Sequence, residues 1–461
     1  MLIRQQRGAK ELQMKKTKIA QLFAVTALFS GLANAQNIDF DRLPSLADIK
    51  ARSAGIEIPA PSASAPQARA QKEWTVMVFI NGKNNLSRYV EIDMNEMEQI
   101  GSTDKVNIVV EAGKLKYTVP DYPDYPGGWD NYDNPWGGGM PPYMKQAVSA
   151  DWYGVRRYYV QKDADTATLG SQLLQELPKA DMGDWNHLVE YVQWAKANYP
   201  AKKYMLVVWN HGDGWKTKSL GRTPSIAKGI SYDDETGNGI TTVQLGQALA
   251  KIGGVDVYAS DACLMQMAEV VYELKDHAPV IVGSEETEPG DGWDYTAFLS
   301  RMMTSNLAPE AVATAAVEGY SASYSAKGKA VTMSAVRSSE AEPLRLLTDQ
   351  WVTLAMTQDK AKLREALNET TKFEGVDARD LLHFLNLAGS KLPALQAKGT
   401  EISALVSGRM IIRNVPTGDS YKNAGGLAIY LPSYNFDANY SKLTLSKTGN
   451  WDEFMQWMTA K

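Results

Sequence analysis

From Trp74 onward, short and nearly unbroken apolar runs alternate with stretches in which apolar side chains recur every third or fourth position. Residues 75–80 and 106–110 read as buried strands, and between them Val90, Met94 and Met97 keep the spacing of one helix face. A second helix is expected over 185–198, where Leu188, Val189, Val192 and Ala195 share a side and Pro200 stops the pattern before a strand at 204–209. A third helix over 241–252, closed by Gly253 and Gly254, leads to a strand at 255–259; a fourth over 264–276 leads to a strand at 280–283. Repeated strand–helix units predict an α/β fold with a mainly parallel sheet and helices on both faces. Beyond residue 340 the pattern turns largely helical, with further strands at 410–415 and 426–431.

The N-terminus follows a different rule. From Met14 there is a basic start (Lys15, Lys16, Lys18), an apolar stretch over 19–32, and Ala33-Asn34-Ala35, the layout of a secretory signal cut after Ala35. The apolar stretch, about 14 residues, is short of the roughly 20 needed to span a bilayer. Met14 is a possible true start, with 1–13 an upstream extension, and no cysteine follows the cleavage region to carry a lipid. The expected product is exported to the periplasm or the medium. Residues 36–72, ending in an Ala/Pro/Ser-rich stretch, read as a linker or pro-segment, followed by a core over 73–340 and a helical and β portion over 341–461. A Tyr/Trp/Gly/Pro-rich insertion over 117–150 reads either as a long surface loop or as an aromatic rim for a ligand.

Composition narrows the function. Of the 461 residues 44% are hydrophobic and 22% charged, which leaves out collagen-like and wholly disordered chains. Lys and Arg number 48 against 53 Asp and Glu, and without the basic N-terminal 35 residues the body carries a formal charge of −10. Such a body repels polyphosphates and anionic lipid, so neither nucleic acid nor membrane is expected as a partner once the signal is gone. The chain holds one cysteine, Cys263, so it forms no internal disulfide and no cysteine metal cluster.

In a sheet of this kind reactive groups sit just past the carboxyl ends of strands. His211 follows one such strand in Trp-Asn-His-Gly-Asp-Gly-Trp, and Cys263 follows another in Ser-Asp-Ala-Cys-Leu-Met, placed by the helix pattern at a helix start whose dipole favours thiolate. Either residue alone has a bland reading, a buried small hydrophobe or a bonded strand-end histidine. Together, at consecutive strand ends, they suggest a thiolate nucleophile and an imidazole that donates a proton to a leaving amine. His187 within a surface helix, His277 and His383 follow no strand and read as structural, and they lack metal-ligand spacing. The strand at 280–283 runs into four acids between Glu285 and Asp291, either a solvated loop or, with Asp261, the floor of a pocket for a guanidinium or ammonium group.

Four segments in this order, Trp-Asn-His211-Gly212-Asp-Gly-Trp, Ile-Ser-Tyr232-Asp233-Asp234, Ser-Asp261-Ala262-Cys263-Leu-Met and Gly-Ser-Glu-Glu-Thr-Glu-Pro-Gly-Asp291-Gly-Trp, resemble the clostripain family of cysteine peptidases, of the caspase, gingipain and legumain clan. The likeness runs from about residue 74 to about 432. It implies a caspase-like sandwich with the catalytic core over 73–340, a dyad of His211 and Cys263, an oxyanion site at the N–H groups of Gly212 and Cys263, and Asp261 and Asp291 binding Arg or Lys of a peptide substrate. It further implies self-cleavage between His211 and Cys263, with Arg222 or Lys228 as candidates; Arg69 and Lys72 are candidates for pro-segment removal. No cofactor is required; calcium is possible, although no loop has calcium-site spacing. Two other functions remain open at this stage: a non-catalytic exported binding protein on a peptidase scaffold, or a transpeptidase that passes the same thioester to an amine.

Overall fold

Nine strands form the central sheet: β1 (Lys72–Gly82), β2 (Val106–Lys114), β3 (Gly154–Tyr159), β4 (Gln172–Leu177), β5 (Ala201–Trp209), β6 (Val257–Asp261), β7 (Val280–Gly283), β8 (Ser334–Arg337) and β9 (Ile411–Asn414). Their order is β9-β8-β7-β6-β5-β1-β2-β3-β4. The five central strands, β7, β6, β5, β1 and β2, are parallel, and two antiparallel strands complete each edge. This computed structural model describes residues 71–118, 148–149, 151–215, 229–374 and 377–460. The signal, Arg69, most of the insertion over 117–150 and the stretch holding Arg222 and Lys228 lie outside the described residues.

Because side chains alternate across a strand, each central strand feeds two cores. Phe79, Leu206, Val208 and Tyr258 point to one face, where they meet helices α2 (Trp185–Asn198), α3 (Thr242–Lys251) and α4 (Ala268–Leu274). Val78, Ile80, Val207 and Ala259 point to the other, against α1 (Val90–Glu98), α5 (Tyr295–Thr304) and α6 (Pro309–Ala326). Both faces are thus covered, and buried apolar runs rather than alternating ones are what such strands require. The C-terminal helices, among them α7 (Ala341–Ala355) and α8 (Leu381–Lys391), join the first core through Trp351 and Phe384.

The expected division at residue 340 falls inside one compact unit over 68–461, and β9, from beyond that point, closes one edge of the sheet. Ala428–Tyr430 pairs with Ala378–Asp380 in a separate two-stranded sheet. At the base of the insertion Tyr117–Thr118 pairs with Val148–Ser149.

Two expectations change. The helix expected from residue 264 starts at Ala268, because Leu264 takes a left-handed backbone (φ 64°) and Met267 is extended. Lys72 is not in a linker: it opens β1, its N–H donates to the Pro200 carbonyl and its ammonium to the Tyr159 hydroxyl at 3.1 Å, so a cut after it would break the first strand.

Candidate active site

β5 and β6 are neighbours in parallel register, with Trp209 opposite Asp261, and the Asn210 N–H continues the ladder to the Asp261 carbonyl at 3.2 Å. His211 lies two residues past Trp209 and Cys263 two past Asp261. Adjacent strands run ~4.8 Å apart, so equal offsets in register bring the two residues out side by side at one sheet edge. The loops that carry them touch. A Cβ on Gly212 would sit 2.4 Å from the Cys263 carbonyl oxygen and 3.1 Å from the Ala262 methyl, so the approach requires glycine.

Cys263 is partly buried in a turn, five residues short of α4, so the helix dipole expected to favour its thiolate does not act on it. Burial instead pushes the thiol up to about 12, and the Glu288 carboxyl adds to the rise. The Glu288 N–H donates to Sγ at 3.2 Å. His211 Nε2 lies 2.7 Å from Asn85 Oδ1, and its ring stacks on Tyr232 at 6.5 Å between centroids and 22° between planes.

Tyr232 is held in turn by asparagines. Asn210 Oδ1 accepts its N–H at 2.7 Å, and the Asn81 and Asn84 side-chain amides donate to its carbonyl at 3.0 and 2.9 Å. Beside it buried Lys83 pairs with Asp233 at 3.1 Å and Glu235 at 2.8 Å, and the Asp234 N–H donates to the Lys83 carbonyl. The Tyr232-Asp233-Asp234 segment therefore clamps the loop after β1 onto the loop after β5.

Next to the thiol the site is acidic. Asp261 is buried; its Oδ2 accepts from the Tyr295 hydroxyl at 2.8 Å and the Trp293 N–H at 3.3 Å, and burial raises its carboxyl to about 7. The acid that lies against it is Glu288. Both carboxylate oxygens of Glu288 are buried and, among the described residues, no donor reaches them. Burial, then the Asp261 charge, drives the Glu288 carboxyl well up. Asp93 extends the cluster: Oδ2 accepts from Trp209 Nε1 at 2.6 Å, Oδ1 is buried without a donor among the described residues, and burial followed by the Asp261 charge raises its carboxyl as well. Sequence reasoning singled out none of Asn85, Asp93 and Glu288. Asn85 follows the β1 strand end, so the strand-end rule that selected His211 and Cys263 reaches it too.

Asp291 is placed differently from Asp261. Its side chain is 64% exposed and 3.3 Å from the Lys327 ammonium; the following residue, Gly292, is what approaches Asp261, where a Cβ would sit 3.0 Å from Oδ1. Glu285 and Glu286 face away, accepting from the Gly426 and Glu374 N–H groups. Of the other histidines, His187 is 11% exposed, not at the surface as its helix pattern suggests, with Nε2 2.7 Å from buried Glu111; His383 Nδ1 accepts from the Thr371 N–H. Among the described residues no group of three or more His, Cys, Asp or Glu is arranged to hold a metal ion.

Residues 78–455 match the Clostripain family, peptidase C11. The chain is 26% identical over 244 residues to clostripain of Hathewaya histolytica, an alignment that takes in 50% of this chain but 42% of that protein's length, less than half. Its fold is similar to that of a secreted C11 cysteine protease from Bacteroides thetaiotaomicron in complex with an irreversible peptide inhibitor (TM-score 0.59, 21% identity, 83% of this chain and 99% of that one). It is also similar to an inactive zymogen C11 protease from Parabacteroides distasonis (TM-score 0.57, 19% identity, 82% of this chain and 98% of that one).

Proposed function

The chain belongs to the clostripain family, and from that premise we propose that it is an exported cysteine endopeptidase cleaving after Arg or Lys through Cys263 and His211. The observation that carries the reading is the run-out of the one thiol and an imidazole from neighbouring strand ends in register, next to a cluster of buried carboxyl groups in which Glu288 has no donor among the described residues. A guanidinium or ammonium group answers that lack; an acidic side chain would be repelled, and a neutral one would leave the carboxyls unsatisfied.

Chemically, Sγ attacks the scissile carbonyl carbon as its proton passes to His211. The N–H groups of Gly212 and Cys263 hold the oxyanion, the C–N bond breaks, and His211 gives the proton to the departing amine. Water then attacks the thioester, its proton taken up by His211, and the acid product leaves with the thiol restored. Burial keeps the resting thiol protonated, so proton transfer accompanies attack rather than preceding it.

Self-cleavage at Arg222 or Lys228 would cut a stretch whose flanks are tied down. The Asp213 N–H donates to the Gly229 carbonyl at 2.9 Å, and Trp215 packs edge-on against Tyr430 and Tyr440. Export rests on the N-terminal signal; no described helix is long and apolar enough to cross a membrane.

Intact mass and turnover of wild type beside Cys263→Ala test the reading. Wild type should hydrolyse Arg- or Lys-ending fluorogenic peptides, and the variant should lose turnover together with any cysteine-dependent internal cut. Hydrolysis retained by Cys263→Ala would sink it.

A further inference from the structure

We propose that Asn85 is a positioning residue for His211: by accepting a hydrogen bond from Nε2–H, it orients the imidazole so that Nδ1 exchanges the proton with Cys263 and the leaving amine. The proposal rests on His211 and Cys263 being the reacting pair.

The contact is short, 2.7 Å between Nε2 and Asn85 Oδ1, and it joins the loop after β1 to the loop after β5. A neutral imidazole carries one N–H, and the nitrogen facing a carbonyl-type oxygen is the one that must carry it. With Nε2 so protonated, Nδ1 holds the lone pair. The proton count then closes. The thiol proton moves to Nδ1 as the S–C bond forms, and it leaves on the amine as the C–N bond breaks. Nε2 keeps its hydrogen on Asn85 throughout.

Asn85 is itself held for this task. Asn84 caps the short helix Asn85–Arg88, its Oδ1 accepting the Leu86 N–H at 2.9 Å, and Asn81 Oδ1 accepts the Lys83 N–H at 3.1 Å. The amide ends of the same two side chains grip the Tyr232 carbonyl, and the Tyr232 ring lies beside the imidazole at 6.5 Å between centroids and 22° from parallel. One loop therefore holds both the edge of the ring and the tyrosine beside it, which restricts its rotation. The acceptor is also neutral. Asp213 lies beside Tyr232 and Glu288 beside the thiol, while Asp233 and Glu235 are paired with Lys83. A further carboxylate on Nε2 would hold the imidazolium more tightly and hinder its giving up the proton.

The test compares wild type with Asn85→Ala and Asn85→Asp on a Lys- or Arg-ending fluorogenic peptide between about pH 5 and 9, with Cys263→Ala as control. Asn85→Ala should lower kcat about a hundredfold and leave KM within about threefold, the scale of one misplaced acid–base group. Asn85→Asp keeps the acceptor, so it should recover much of that loss and move the acid limb of kcat/KM, set by loss of the imidazolium proton, to higher pH. Unchanged kcat and pH profile in both variants, with Cys263→Ala inert, would overturn the role of Asn85 and leave the reacting pair intact. Equal losses in both variants with a lowered melting midpoint and an unshifted profile would mark Asn85 as structural only and overturn it too. Turnover surviving in Cys263→Ala would remove the pair on which the proposal stands.

Discussion

Burial and the Asp261 charge favour the protonated form of Glu288 in the free protein, and that separates its two roles. Glutamine copies a protonated carboxyl in size and shape, so Glu288→Gln should hardly change stability. Against a bound guanidinium or ammonium it lacks the charge, and kcat/KM for Arg or Lys substrates should fall about ten- to a hundredfold, mostly through KM. Asp291→Asn, at an exposed residue already facing Lys327, should cost less than about threefold. A ranking in the opposite order, measured on the same peptides, would return the pocket to Asp291. The acid pair also sets a pH dependence. Asp261 is raised to about 7, chiefly by burial, and it meets a cation best once ionised, so the affinity of an arginine-mimicking competitive inhibitor should rise from pH 5 to pH 8. Sequence reasoning reached His211, Cys263 and Asp261 because each directly follows or ends an apolar strand, a signal carried by adjacent residues. Glu288 lies five residues beyond β7, and only the path of that loop decides which of its four acids turns inward.

At the scale of elements, the expected strands and helices around the site lie where apolar spacing predicts them. The helix α2 spans Trp185–Asn198 as expected, and β7 spans Val280–Gly283. The exceptions are informative. β4 escaped the pattern because it is an edge strand, exposed or half-buried throughout, so no apolar run marks it, while β3, paired between β2 and β4, carries Arg156 and Arg157 where an apolar run would stand. The late start of α4 escaped because Leu264, Met265 and Met267 are buried at helix-like spacing although the backbone between them turns left-handed. That turn and the Gly212 loop pack against one another with no room to spare. Gly212→Ala should therefore separate them, destabilise the protein by about 1–3 kcal/mol and lower kcat far more than a helix-surface alanine does, as seen by melting and peptide turnover together. By contrast Thr241→Ala, which removes the capping box at the start of α3, should cost about 1 kcal/mol of stability and leave kcat alone.

Across the molecule, buried carboxyls shape the response to pH. Glu269 on α4 is pushed up to about 7 by burial; its Oε1 accepts from both the Tyr430 N–H and the Tyr440 hydroxyl, while Oε2 finds no donor among the described residues. Glu96 is raised to about 7 likewise, again by burial first. A carboxyl with a raised folded value binds its proton in the native state at a pH where the unfolded chain has released it, so stability falls as pH climbs from about 4 to about 7. Glu269→Gln keeps Oε1 and removes the charge. Its melting midpoint should exceed that of wild type at pH 8 and converge on it near pH 4; an equal difference at both values would reject the titration of Glu269 as the cause.

The adjacency of β5 and β6 has a consequence for a chain cut between residues 216 and 228. One product would carry β4, β3, β2, β1 and β5, the other β6, β7, β8 and β9, and the seam between them would run through the middle of the sheet. With one cysteine in the whole sequence, no disulfide could join the halves. Folding, unimolecular in the intact chain, would become an association, and stability would then depend on protein concentration by mass action. The intact chain should melt at one temperature at any dilution, whereas the cut form should melt lower as it is diluted and separate in denaturant into two polypeptides that must find each other again to rebuild His211 beside Cys263.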